Sequence, residues 1–233
     1  MNAKMRTRVK CILSKVMPDS SRLRYLSYIA RLESWRKKHD ESFPIFNDRY
    51  DLYNYLNSDI LDKDRIDYLE FGVWKGDTIK YWASINSHRE SRFIGFDTFS
   101  GLPEDWGTFT RTMNKGAFDV GGTAPDLKDD RACFFVKGLF QDTLPAFLKT
   151  HAFTSQLVIH NDADLYSSTL YVLTRCNDIL VPGSIVILDE FSSPLHEFRA
   201  LEDYCSSYMR DYEVLGATKS PTEYYSQIAI RVK

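Results

Sequence analysis

At 233 residues, 43% of them hydrophobic and 27% charged, the chain holds one α/β-sized core plus an appendage and is too short for two large domains. A net charge of -2 leaves no electrostatic footprint for nucleic acid. No run approaches the roughly 18 apolar residues of a membrane span. Cys11, Cys133, Cys176 and Cys205 are too scattered for a zinc site or disulfide framework, so a reducing cytoplasm is the expected location.

The N-terminus carries Lys4, Arg6, Arg8, Lys10 and Lys15 with no acid before Asp19, and has too few apolar residues for a secretory signal. It reads as a frayed or helical surface segment in preference to a membrane-surface anchor. From Ser20 to about Leu61 the spacing of Leu23, Leu26, Ile29 and Ala30, then of Tyr50, Tyr53 and Leu56, predicts helix, and Pro44 divides it into at least two. This segment could cover an active site or build the dimer interface of a homo-oligomer.

From Ile66 onward short apolar runs alternate with helical patterns, which predicts a parallel sheet with helices on both faces. The expected strands are Ile66–Phe71, Arg92–Asp97, Ala132–Lys137, Leu157–Asp162 and Ser184–Asp189. Glu213–Ala217 and Ser226–Val232 follow with only a short turn near Pro221 between them, too little for a crossover helix, so they pair as an antiparallel hairpin.

Gly72 and Gly76 bracket a tight turn from the first strand into an amphipathic run, Thr78–Ser87, and such a turn aims free backbone N–H groups at a ligand. Neither the three-glycine dinucleotide spacing nor the Lys-Ser/Thr of a phosphate loop is present. Glu70 at the strand end disfavours a polyanion and suits a ligand bearing an amino group and a sulfonium. Asp97, ending the second strand, stands where an acid can accept from ribose hydroxyls or, equally, cap the next element. Between Gly101 and Asp130 the chain is polar and glycine-rich, the pattern of a mobile lid anchored by Trp106 and Phe118.

Two acid pairs follow strongly apolar strands: Asp162 and Asp164 after Leu157-Val158-Ile159, and Asp189 and Glu190 after Ile185-Val186-Ile187-Leu188. If the strand persisted, Asp162 and Asp164 would point the same way. Four crowded carboxylates raise one another's pKa unless a cation sits among them, and all-oxygen ligation favours Mg²⁺. His160 reads as a packed or supporting histidine and not as a ligand.

Glu70-x-Gly72-x-x-x-Gly76 looks like the first motif of class I S-adenosylmethionine (SAM) dependent methyltransferases. With Gly95-Phe96-Asp97-Thr98-Phe99-Ser100-Gly101-Leu102-Pro103, Lys137-Gly138-Leu139-Phe140-Gln141-Asp142-Thr143, Asp162-Ala163-Asp164-Leu165-Tyr166 and Asp189-Glu190-Phe191, the chain from about Tyr50 to Tyr204 resembles the macrocin O-methyltransferase (TylF-like) family. The resemblance implies a class I (Rossmann-like) doubly wound α/β methyltransferase domain over residues 62–233, behind accessory helices over 1–61. It also implies SAM as donor, Mg²⁺, and a small-molecule or glycan acceptor with adjacent sugar hydroxyls. Carried over, Glu70, Gly72, Gly76, Asp97, Phe140 and Asp142 would bind SAM, with Asp142 at the adenine. Asp162, Asp189 and Glu190 would hold the metal, and Asp164 would be the general base. Two departures stand out: Asp189-Glu190-Phe191 replaces the usual Asp-Asp-Tyr, and Asp162-Ala163-Asp164 the usual Asp-Gly-Asp. A catechol-type metal-dependent O-methyltransferase is the nearest rival, but it places a lysine where this chain has Leu165. A non-catalytic SAM-fold protein is the rival of another class, and the intact acid cluster speaks against it.

Overall fold

The computed structural model describes residues 3–16, 20–39, 42–107, 112–126, 133–221 and 224–233. The N-terminal part forms α1 (Ala3–Val16), α2 (Ser21–His39), a short strand β1 (Ile45–Phe46) and α3 (Arg49–Tyr55), which continues as a π-helical turn, Leu56–Ile60. Asp48 caps α3, its carboxylate accepting from the backbone N–H groups of Tyr50 and Asp51, so the first turn is satisfied locally. Pro44 separates two helices as expected, but its carbonyl accepts from Ala217 N and leads into a strand that the helical spacing had hidden.

The alternating part follows as β2 (Ile66–Phe71), α4 (Asp77–Ile85), β3 (Arg92–Asp97), the small pair β4 (Trp106–Gly107) and β5 (Thr112–Met113), and β6 (Cys133–Lys137). Then come α5 (Phe140–Thr150), β7 (Gln156–Asn161), α6 (Tyr166–Arg175), β8 (Ile185–Leu188), α7 (Glu197–Tyr208), β9 (Tyr212–Lys219) and β10 (Tyr225–Val232). The main sheet runs β1-β9-β10-β8-β7-β2-β3-β6. Its pairs from β8 to β6 are parallel, and β10 is antiparallel to both β8 and β9, as the short interval between the last two strands requires. Ala132 and residues 222–223 of the expected turn lie outside the described residues.

Period-two alternation in β2 sends Leu69 and Phe71 to one face of the sheet and Ile66 and Tyr68 to the other. The first face packs with Phe96, Ile159 and Leu188 under α5, α6 and α7. The second packs with Phe93, Val158 and Ile187 under Trp82 of α4 and under Leu52, Tyr53 and Leu56. Residues before 62 therefore share both sheet and core. Trp35 of α2 joins the first face, edge-on to Phe191 at 4.8 Å, its indole N–H given to the Tyr212 hydroxyl at 2.7 Å. The strand order reverses between β2 and β7, and the chain ends that leave the sheet there open a crevice at its C-terminal edge.

Candidate active site

A cavity of about 220 Å³ occupies that crevice, with Gly72, Asp97 and Gln141 toward one end and Asp162, Asp164, Asp189 and Glu190 toward the other. The first end is shaped by backbone. Gly72 N donates to Phe96 O and Asp162 N to Phe71 O, which draws the turns after β2 and β7 together. A Cβ on Gly72 would stand 1.9 Å from the Asp162 carbonyl oxygen, and its φ of +92° is one that side chains rarely adopt. Only glycine fits.

Asp97 holds this loop in shape. Its Oδ2 accepts from Val73 N at 2.7 Å and Trp74 N at 2.8 Å, and its Oδ1 from Phe99 N at 2.7 Å. A carboxylate offers about four lone-pair sites, so three backbone donors leave room for roughly one further hydroxyl and not for a pair of ribose hydroxyls. Glu70 and Gly76 are not part of the wall. Glu70 is fully buried beneath the loop, where its carboxylate accepts from the Tyr68 hydroxyl at 2.7 Å. Burial pushes its pKa up to about 8, with Tyr68 pulling down and Asp189 and Asp97 adding to the rise. Gly76, at φ +76°, starts α4 against Pro125. Phe140 lines the cavity, but Asp142 is exposed in the first turn of α5 and its neighbour Gln141 faces the cavity in its place. Helical rotation of about 100° per residue accounts for the exchange, since one step along α5 turns a side chain from the crevice to solvent.

The second end gathers side chains from remote segments. Asp189 is buried, and its Oδ2 accepts from Arg49 Nη2 at 3.1 Å and from Gln227 Nε2 at 3.4 Å. Burial alone would raise its pKa, but the contacts with His160 and Arg49 outweigh that and hold it below the usual carboxylate value. Asp162 goes the other way: desolvation, then Asp189, Asp164 and Glu197, push it well up. Arg49 thus balances only part of the negative charge gathered here.

His160 is a third neighbour of Asp189. The Tyr68 hydroxyl, hydrogen-bonded to Glu70, also lies 2.8 Å from His160 Nδ1. His160 Nε2 faces Asp189 Oδ1 at 3.4 Å, and the Tyr53 hydroxyl stands 3.4 Å from that nitrogen and 3.5 Å from that oxygen. Among the described residues, donor atoms of His160, Asp162 and Asp189 lie within 4.8 Å of one another, close enough to share a divalent cation. Glu190 lines the same cavity with its backbone N–H held by Glu197 Oε2 at 2.9 Å, and the third member of the group with Asp162 and Asp189 is His160.

Strand geometry does not continue through Asp164, whose φ is +58°; the turn, and not alternation, sets it beside Asp162 on the cavity wall. Leu165, in the position where a catechol-type site has lysine, is buried. The expected lid crosses the open edge: Leu102, Pro103 and Phe118 line the cavity, and Phe118 meets Trp74 edge-on at 5.9 Å. Trp106 is buried beside His196, whose Nε2 lies 2.7 Å from the Gly107 carbonyl, and Ser167 hydrogen-bonds Glu104. Residues 108–111 and 127–130 of that segment lie outside the described residues. Arg49, Gln141 and Gln227 were missed from sequence because nothing local marks them, although Gln141 sits inside a motif already quoted.

With this geometry in hand, comparison with known proteins is decisive on one point. The family model for macrocin-O-methyltransferase (TylF) matches residues 51–209. The chain belongs to the macrocin-O-methyltransferase family. That span reaches from α3 past α7 and includes every cavity residue named above except Arg49, two positions upstream. A curated family relative is 32% identical over 164 residues: 8-demethyl-8-(2,3-dimethoxy-alpha-L-rhamnosyl)-tetracenomycin-C 4'-O-methyltransferase of Streptomyces olivaceus. The match takes in 63% of this chain and 57% of that relative's length. Among solved structures, the O-methyltransferase NovP matches with a TM-score of 0.58 at 22% identity over 78% of each chain. CalS11, a calicheamicin methyltransferase, matches with 0.61 at 21% identity over 99% of this chain and 94% of its own. Both likenesses show the class I methyltransferase fold, a mostly parallel sheet closed by an antiparallel hairpin. Among the described residues no helix is long and apolar enough to cross a membrane.

Proposed function

We propose that this family member is a SAM-dependent O-methyltransferase that methylates a sugar hydroxyl on a glycosylated small molecule or a glycan, assisted by a divalent cation, Mg²⁺ first. The observation that carries the reading is the single cavity with a backbone-built loop at one end and an undercompensated carboxylate cluster at the other. The named relatives point to sugars: one is a 4'-O-methyltransferase of a rhamnosyl tetracenomycin, and CalS11 is described as a TDP-rhamnose 3'-O-methyltransferase.

In this reading the loop from Gly72 to Gly76, Asp97, Phe140 and Gln141 bind the cofactor, which supplies an activated methyl group. Asp97 accepts one ribose hydroxyl through its remaining lone pair. Glu70 and Tyr68 act from beneath, fixing the His160 ring. Asp162, Asp189 and His160 would hold the cation, with Glu190 close by, and its charge would favour the ionised form of an acceptor hydroxyl. Asp164, outside the donor triangle and on the same wall, accepts the hydroxyl proton. Leu165 is buried where a catechol-type site has lysine, which favours the sugar reading over a phenolic one.

The test is turnover with SAM on a panel of sugars bearing adjacent hydroxyls, with and without EDTA. Methylation that EDTA abolishes and Mg²⁺ restores is the expected result, and Asp189→Asn should imitate the chelator. Full activity in EDTA would remove the cation from the mechanism, and methylation of catechols alone would move the acceptor class to phenols.

A further inference from the structure

The helix α1 takes no part in the site, and it carries a pattern of its own. Its apolar residues Met5, Val9, Ile12 and Leu13 are 40–61% exposed. At about 100° per residue they fall within one arc of roughly 100°, the width of a stripe made to be covered. On the same wheel Lys4, Arg8 and Lys15 flank one border of the stripe and Arg6 and Lys10 the other, while Thr7, Cys11 and Ser14 lie opposite. The helix contains five basic residues and no acidic one, in a chain of net charge -2. The start of α2 repeats the composition, with Arg22 and Arg24 beside Leu23 and Leu26, both exposed.

Each possible cover makes a different demand. A second copy of α1 packed stripe to stripe would bring two cationic borders against two others, and like charges at such flanks oppose pairing. Nucleic acid would use the charge and leave the apolar stripe in water. An anionic lipid surface uses both, because the stripe enters the acyl boundary while long basic side chains at its borders reach back to the headgroups. We propose that α1 is an amphipathic helix that docks the protein on anionic lipid surfaces.

The experiment is flotation of the full chain with vesicles of phosphatidylcholine alone and with ~30 mol% phosphatidylglycerol, at low and high salt. Flotation is expected with the anionic vesicles at low salt, falling as salt rises. Ile12→Glu, which breaks the stripe, and the pair Arg6→Glu with Lys10→Glu, which reverses one border, should each cut recovery by about tenfold or more. All three side chains are on a solvent-exposed helix, and unchanged circular dichroism would show the fold intact. Equal flotation of the variants and the parent would place lipid binding elsewhere and overturn the proposal. So would absence of flotation, whether α1 instead supports a dimer in sedimentation that Ile12→Glu dissolves or retards duplex DNA through its charge alone.

Discussion

The glycine-loop end of the cavity is made of neighbours in sequence clamped by backbone hydrogen bonds, whereas the carboxylate end draws Arg49, His160 with Asp162, Asp189 and Gln227 from four separate stretches. The first is rigid because N–H groups have one shape to satisfy. The second is held by charge, and a bound cation would shift its balance. One end should therefore respond to substitution through geometry and the other through electrostatics. The two meet at Gly72 against the Asp162 carbonyl.

The largest effect expected is on chemistry alone. Asp164→Asn should lower kcat by about 10²–10⁴-fold, the worth of a positioned base, while calorimetry shows SAM and Mg²⁺ affinities unchanged. Loss of Mg²⁺ binding, with the rate recovered in excess Mg²⁺, would instead make Asp164 a ligand.

Next comes the point of contact. Gly72→Ala combines a disfavoured φ with a steric overlap, so it should cost roughly 2–4 kcal/mol of stability and weaken both SAM and metal binding. If only SAM binding suffered, the two ends would be more independent than the backbone pinch implies.

A smaller, conditional effect is expected at Arg49. Arg49→Met leaves Asp189 without its guanidinium, so the metal-free protein should lose about 1–3 kcal/mol in urea unfolding. Added Mg²⁺ should return much of that loss if positive charge is what the cluster lacks, and an equal loss with and without Mg²⁺ would argue that Arg49 serves packing alone.

The mildest change concerns Glu70. Its folded pKa of about 8 lies above that of an exposed carboxyl, so the folded state holds the proton more tightly. Its contribution to stability is full below the unfolded value and fades as pH rises toward 8. Glu70→Gln should flatten the decline of Tm between pH 5 and 8, and parallel curves for the two proteins would rule out this role.

How much of this was legible beforehand follows from the range of the forces involved. The strands at 66–71, 92–97 and 157–162 were readable to within a residue because burial on both faces leaves continuous apolar runs, and the terminal hairpin because a short interval forbids a crossover. The glycine loop and the two acid pairs were readable as contiguous motifs. By itself the sequence determined the fold class, the sheet edge that carries the cavity and the chemistry of its acids. Only tertiary structure decided the rest. It spent most of Asp97 on a backbone clamp, rotated Asp142 away and Gln141 in, sank Glu70 beneath the loop and set His160 beside Asp162 and Asp189. It also brought Arg49 to Asp189 across 140 positions of chain. Side-chain direction and long-range charge pairing depend on how helices dock and turns close, and no local pattern encodes them.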